Sequence, residues 1–93
     1  MTEQAAADTT TTDQIVTVYS TAFCSPCEHL KRHLADAGVA FVVMDPMMDE
    51  GAAEFLENRN IRSTPVLTVG DHIVIGFDRA KVDEALRSSG VLA

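Results

Sequence analysis

The chain has 93 residues, enough for one small domain with a single core and too few for a second folded domain. Its composition, 46% hydrophobic and 23% charged, is ordinary for a globular protein, and the absence of Trp predicts an aliphatic core. The formal net charge of −7 argues against binding nucleic acid or an anionic membrane by charge attraction. The sequence contains no apolar run of membrane-spanning length.

The first segment, residues 1–13, is expected to be a disordered leader. Its residues are mostly small and polar, include four consecutive threonines and show no apolar period. It lacks the basic and apolar regions of a secretory signal, so the expected location is cytoplasmic, where paired thiols usually rest reduced. Residues 14–93 are expected to form the one folded domain.

The first predicted strand covers residues 15–20, a short run rich in β-branched residues that is typical of a buried, central strand. A helix is predicted for residues 26–37, because the apolar residues there recur within one arc of a helix. Both cysteines of the chain, Cys24 and Cys27, lie at the junction of these two elements.

The spacing of the two cysteines indicates a redox function. Two thiols separated by two residues can close into a small disulfide ring and reopen, which makes a reversible two-electron switch. Pro26 suits the start of the following helix, whose free N–H groups and positive end favour a thiolate at Cys24. We therefore predict that Cys24 is the exposed nucleophile and Cys27 the resolving thiol. The two sulfur atoms carry both electrons, so no metal or organic cofactor is expected.

The remaining pattern predicts a strand, a helix, a hairpin of two strands turning at Gly70-Asp71, and a last helix, with Asp49 and Asp78 as helix N-caps. A strand-helix-strand unit with a connection of more than about ten residues makes its strands parallel, and a hairpin adds an antiparallel pair. The expected architecture is an α/β fold in the order β-α-β-α-β-β-α, with a four-stranded mixed sheet and helices on both faces. The bounds of these later elements are residues 39–45, 50–59, 66–69, 72–75 and 79–89.

Three segments, taken in this order, resemble a glutaredoxin-like member of the thioredoxin superfamily. They are Val-Thr-Val-Tyr-Ser-Thr-Ala-Phe-Cys-Ser-Pro-Cys at 16–27, Arg-Ser-Thr-Pro at 62–65 and Ile-Gly-Phe-Asp at 75–78. The resemblance covers about residues 15–89. It implies a thioredoxin-like fold and a dithiol-disulfide oxidoreductase that acts as an electron carrier.

The resemblance also implies roles for individual residues. Pro65 would follow a cis peptide bond beside the dithiol, and the backbone of Thr64 would pair with the main chain of the substrate. Gly76-Phe77-Asp78 would flank the groove for the substrate's cysteinyl portion, and Arg62 would pair with a carboxylate. The full set of expected substrate-binding residues is Phe23, Ser25, Pro26, Arg62, Thr64, Pro65, Gly76, Phe77 and Asp78.

The chain departs from glutaredoxins that use glutathione. Those proteins usually carry Cys-Pro-Tyr-Cys, a Lys a few residues earlier and Gly-Gly before the aromatic residue; here stand Ser25-Pro26, Ser20-Thr21 and Ile75-Gly76. A proline immediately before the second cysteine, here Pro26, resembles thioredoxin, but Val18 stands where thioredoxins carry a buried acid. The chain is thus similar also to the redoxins that serve ribonucleotide reductase and accept electrons from thioredoxin reductase.

The expected function is reduction of protein or low-molecular-weight mixed disulfides. The expected partners are disulfide-containing proteins and an electron donor, either thioredoxin reductase or a small thiol, with no nucleic acid and no membrane, and the chain is expected to be a monomer. The alternative is a carrier that holds an iron-sulfur cluster or a metal through Cys24. A zinc site with His29 and His33 is disfavoured, because these residues lie about 200° and 240° around the helix from Cys27.

Overall fold

Four strands form one mixed sheet in the spatial order β2-β1-β3-β4. The computed structural model describes residues 15–92, so the leader predicted for residues 1–13 lies outside the described part. The predicted order of elements and the central place of β1 are confirmed. The strands are β1 (Thr17–Tyr19), β2 (Val42–Met44), β3 (Val66–Val69) and β4 (His72–Ile75), and the helices are α1 (Ser25–Asp36), α2 (Glu50–Glu57) and α3 (Arg79–Ser88).

The strands at 15–20 and 39–45 were predicted too long. A strand exists only where it has a partner, and β1 and β2 pair over three residue positions, from Thr17 with Val42 to Tyr19 with Met44. Val39, at the start of the predicted strand, bonds instead to the end of α1, because its N–H donates to the carbonyl of Leu34 at 2.9 Å.

The helix bounds differ from the predicted ones by smaller amounts. Helix α1 begins and ends one residue earlier than predicted, and α3 ends one residue earlier. Helix α2 ends at Glu57 and not at Arg59, because the N–H groups of Arg59 and Asn60 bond three residues back in a tighter turn. Asn60 then takes the left-handed conformation, with φ of 58°.

The connections fix the direction of each strand. Strand β1 runs parallel to β2 through α1 and antiparallel to β3, and β3 and β4 form the predicted hairpin. Gly70 adopts a φ of 58° in its turn, which suits a residue without Cβ. The carboxyl end of β1 and the start of α1, with Cys24, therefore lie at the same end of the sheet.

Helices cover both faces of the sheet, as predicted. Side chains alternate along a strand, so Val18 and Leu67 face α1 and α3 while Tyr19 and Val66 face α2. Tyr19 is the one aromatic residue among the buried hydrophobic residues of the described part, which confirms an aliphatic core. No helix within residues 15–92 is both long and apolar enough to cross a membrane.

Candidate active site

The dithiol lies at the start of α1. Cys24 is the N-cap, with extended backbone, and its Sγ accepts a hydrogen bond from the N–H of Cys27 at 3.2 Å. The two sulfur atoms are joined in a disulfide, with Cα atoms 5.2 Å apart. Cys24 is partly exposed, while Cys27 is fully buried. An N-cap next to the positive end of a helix favours a thiolate at Cys24 after reduction.

The local sequence explains why the helix starts here. Ser25 and Pro26 occupy the first helical positions, where the missing N–H of proline leaves no intrahelical bond unmade. The buried residues Cys27, Leu30 and Leu34 then follow on one face of α1 and anchor it to the sheet. The second sulfur is thereby held inside while the first stays at the surface.

The loop before β3 lies against Cys24 from the other side. The Thr64–Pro65 peptide bond is cis, as the resemblance implies, and Pro65 is buried. The Oγ1 atom of Thr64 lies 3.7 Å from Cys24 Sγ, and the carbonyl oxygen of Thr64 lies 3.9 Å from the same sulfur. Among residues 15–92, the N–H of Thr64 makes no hydrogen bond to a backbone carbonyl.

A groove of about 410 Å³ leads away from Thr64 along α2. Its lining is largely apolar and includes Met47, Leu56 and Ile61, with Arg62 as its cation. Met47 and Met48 are 80% and 84% exposed. They follow Asp45-Pro46 in a surface turn, where no helix covers them.

Phe23 stands immediately before Cys24 with its side chain fully exposed. Its φ is 58°, a left-handed conformation that is unusual for a bulky aromatic residue. An aromatic ring therefore projects into solvent at the position next to Cys24 in the sequence. Ser25 and Pro26 are also exposed at this edge.

The segment 76–78 closes the site on the side of α1 and α3. Gly76 donates its N–H to the carbonyl of Pro65 at 2.8 Å and adopts a φ of 84°. Phe77 is partly buried against the core between the sheet and the helices α1 and α3, with its ring 6.3 Å from that of His29. The carboxylate of Asp78 caps α3 by accepting from the N–H of Lys81. Phe77 and Asp78 thus make contacts within the fold.

His33 differs from the other two histidines in its burial. His29 and His72 are exposed, but the side chain of His33 is only 16% exposed. Its Nε2 lies 2.7 Å from Oδ1 of Asp83, so the pair links α1 to α3. Within residues 15–92, no group of three or more His, Cys, Asp or Glu side chains is placed to hold a metal ion.

Thr21 is the site residue that sequence reasoning missed. Its Oγ1 lies 3.1 Å from Oγ1 of Thr64, although 43 positions separate the two residues. The nearest signal was the Ser20-Thr21 pair where some relatives carry a lysine, but that difference does not say what the hydroxyl contacts. The pairing of β1 with β3 brings these two loops together.

Comparison with known proteins agrees with this geometry. The family model for glutaredoxin matches residues 16–74. The chain is 32% identical over 73 residues to the gene 56 proteins of mycobacterium phages D29 and L5, a match that spans 76% of this chain and 81% and 71% of theirs.

Solved structures give the same result. The NrdH-redoxin of Escherichia coli, a glutaredoxin-like protein with a thioredoxin-like activity profile, superposes with a TM-score of 0.70 at 28% identity over 74% of this chain and 91% of its own. The thioredoxin-like protein BC3987 gives 0.70 at 29% identity, over 76% and 99%. With the paired Cys24 and Cys27, these matches show a thiol-disulfide oxidoreductase of thioredoxin-like fold, and the chain belongs to the glutaredoxin family.

Proposed function

We propose that this protein reduces disulfides in other proteins and that a protein reductase of the thioredoxin reductase class, not glutathione, restores its dithiol. The supporting observation is exposed apolar area around Cys24: Phe23, the residue before it, is fully exposed, and the groove beside Thr64 contains the exposed Met47. Such a surface suits a protein partner. The proposal includes a cytoplasmic location, since an electron-donating dithiol must be kept reduced. It also includes a monomeric protein.

Charge supports the choice against glutathione. Glutathione carries two carboxylates, and the groove beside Thr64 offers one cation, Arg62, together with the anionic Glu57. Residues 14–93 hold eleven acidic and seven basic side chains, a net charge of −4 that repels an anionic tripeptide. The lysine that glutathione-using relatives carry before the dithiol is replaced by Ser20-Thr21.

The reaction follows from the two sulfur positions. The Cys24 thiolate attacks one sulfur of the substrate disulfide, and the other substrate sulfur leaves as a thiolate and takes a proton from water. Cys27 then loses its proton and attacks Cys24 Sγ, which releases the second substrate thiol. Two electrons pass to the substrate, and the Cys24–Cys27 disulfide that the structure contains is the product state. The N–H of Thr64 would hold the substrate main chain beside the sulfur.

Two coupled assays with the same oxidised protein substrate test the electron donor. One contains NADPH and thioredoxin reductase, and the other contains NADPH, glutathione reductase and glutathione. We expect turnover to be about tenfold faster in the first, a difference of about 1.4 kcal/mol in activation free energy. Equal or faster turnover with glutathione would contradict the choice of donor.

Single substitutions test the order of attack. Cys24→Ser should abolish disulfide reduction, because the attacking sulfur is lost. Cys27→Ser should leave Cys24 able to attack but unable to release the substrate, so a mixed disulfide accumulates and is visible by mass spectrometry. If Cys24→Ser kept its activity, Cys24 would not be the nucleophile. Stoichiometric iron or zinc in anaerobically purified protein would favour the metal-carrier alternative.

A further inference from the structure

Two threonine hydroxyl groups form a chain that ends on the reactive sulfur. Thr21 Oγ1 lies 3.1 Å from Thr64 Oγ1, and Thr64 Oγ1 lies 3.7 Å from Cys24 Sγ. Both threonines are partly buried, which shields the contacts from bulk water. The contacts join the loop after β1 to the loop before β3, and the antiparallel pairing of Tyr19 with Val66 fixes the separation of the two loops.

The number of hydroxyl hydrogens decides which group donates in each of these two contacts. Each hydroxyl has one hydrogen, so Thr64 can donate either to Thr21 or to Cys24, but not fully to both. A disulfide sulfur is a weak acceptor, whereas a thiolate is a charged acceptor and attracts the donor strongly. When Cys24 is reduced and ionised, the Thr64 hydrogen therefore points to the sulfur. The contact between the two threonines is then kept only if Thr21 is its donor.

We propose that Thr21 is a positioning residue for the dithiol reaction: it donates its hydroxyl hydrogen to Thr64 and thereby directs the Thr64 hydroxyl onto the Cys24 thiolate. The proposal rests on the proposed role of Cys24 as the attacking sulfur. The thiol proton of Cys24 goes to solvent, and both hydroxyl hydrogens stay on their oxygens. The pair stabilises the thiolate without a charged side chain.

The elements around Cys24 also carry titratable and charged groups, which stay constant in the test. They are Glu28 and His29 on α1, Arg62 before the cis peptide bond, and Asp78 at the start of α3. Glu28 forms an ion pair with Lys31 at 2.7 Å. Because none of these residues is substituted, a change in the Cys24 titration reports on the two hydroxyl groups.

The test is a double-substitution cycle in the Cys27→Ser background, where Cys24 is the single thiol. Thr64→Val and Thr21→Val replace a hydroxyl by a methyl group of similar size. The readouts are thiolate absorbance at 240 nm against pH and the rate of alkylation by iodoacetamide. Neither readout needs a substrate or a reductase. A failure of the Thr21 proposal in this test can therefore be distinguished from a failure of the proposed function in the coupled assays.

We expect Thr64→Val to raise the pH at which the thiolate forms, and Thr21→Val to raise it by a smaller amount. Below the titration midpoint, alkylation should slow by about threefold to fourfold for each pH unit of the shift, because the more basic thiolate is also more nucleophilic. Well above the midpoint the variant should react as fast or faster, so the two pH profiles cross. Thr64→Ser, which keeps the hydroxyl, should restore the original profile.

The decisive comparison is Thr21→Val added to Thr64→Val. If Thr21 acts through Thr64, the second substitution causes no further shift. A Thr21→Val shift of equal size with and without the Thr64 hydroxyl would overturn the proposal, as would an unchanged midpoint in Thr64→Val. Should Thr64→Val not fold, Thr21→Val and Thr21→Ser are compared instead: the first must shift the midpoint and the second must not, and any other result overturns the proposal.

Discussion

Phe23 combines two properties that are each unfavourable for a folded protein. Its ring is fully exposed, and its backbone occupies the left-handed region at φ of 58°. For a bulky residue this backbone conformation costs about 1–3 kcal/mol. Strained residues of this kind cluster at functional sites, and Phe23 is the immediate neighbour of Cys24. We infer that the ring serves substrate contact at the expense of stability.

Replacing Phe23 by Asn should therefore separate stability from activity. Asn tolerates a positive φ, so Phe23→Asn should raise the free energy of unfolding by about 1 kcal/mol in urea titrations. The same change should raise KM for a protein disulfide in the coupled assay, because the apolar contact is lost. Phe23→Tyr keeps the ring and the strain and should match the original protein in both. A loss of stability in Phe23→Asn would mean that the ring packs on the fold.

Helix α2 is short, and its contacts reach both the core and the groove. It spans Glu50–Glu57, begins at the N-cap Asp49, and stacks Phe55 on Tyr19 with ring centroids 5.1 Å apart. A helix of eight residues is unstable alone, so its N-cap and its packing decide whether it forms. The Oδ1 atom of Asp49 accepts from the N–H of Ala52 at 2.9 Å.

Removal of this cap should cost stability without changing the dithiol. Asp49→Ala should lower the free energy of unfolding by about 1 kcal/mol, whereas Asp49→Asn, which caps equally well, should change it little. The alkylation rate of reduced Cys24 in the folded protein should stay the same in both, since Asp49 makes no contact with the sulfur. If Asn were as destabilising as Ala, the carboxylate charge and not the cap would be the stabilising feature.

The elements themselves were predictable, because periodicity and N-cap residues are local signals. Asp49 and Asp78 marked two helix starts, and Gly70-Asp71 marked the hairpin. What the sequence did not predict depends on packing between distant segments. The ends of β1 depend on its partner strands, and the exposure of Met47 depends on which surface a helix leaves uncovered.

The same distinction holds for the site. The spacing of the cysteines predicted the dithiol, and the resemblance implied the cis bond at Pro65, which the structure contains. The contact between Thr21 and Thr64 and the pair of His33 with Asp83 span 43 and 50 positions, so no local pattern could indicate them.

At the scale of the whole molecule, a second cavity lies away from the dithiol. A cavity of about 530 Å³ lies at the end of the sheet opposite Cys24, lined by residues that include Val16, Phe41, Val91 and Leu92. Val91 and Leu92 are partly buried against the core between the sheet and the helices α1 and α3, and their N–H groups both donate to the carbonyl of Leu86.

The combined change Val91→Ser and Leu92→Ser should therefore lower the stability of the fold without changing the reactivity of the dithiol. Loss of two partly buried apolar side chains should reduce the free energy of unfolding by about 1–3 kcal/mol in urea titrations. Cys24 alkylation and the coupled assay should be unchanged at temperatures where the protein stays folded. Met48→Ser, at an exposed position, is the control and should change stability little. Slower alkylation in the double variant would show that the two ends of the sheet are coupled.

The unequal burial of the two cysteines also has a consequence for their oxidation by peroxide. A peroxide that reaches the accessible Cys24 converts it to a sulfenic acid, which further peroxide can oxidise irreversibly to the sulfinic and sulfonic acids. Cys27 is one helical turn away and sheltered from the oxidant, with its Cα 5.2 Å from that of Cys24. Its thiol condenses with the sulfenic acid and releases water. The product is the Cys24–Cys27 disulfide, the same bond that every catalytic cycle makes and reverses.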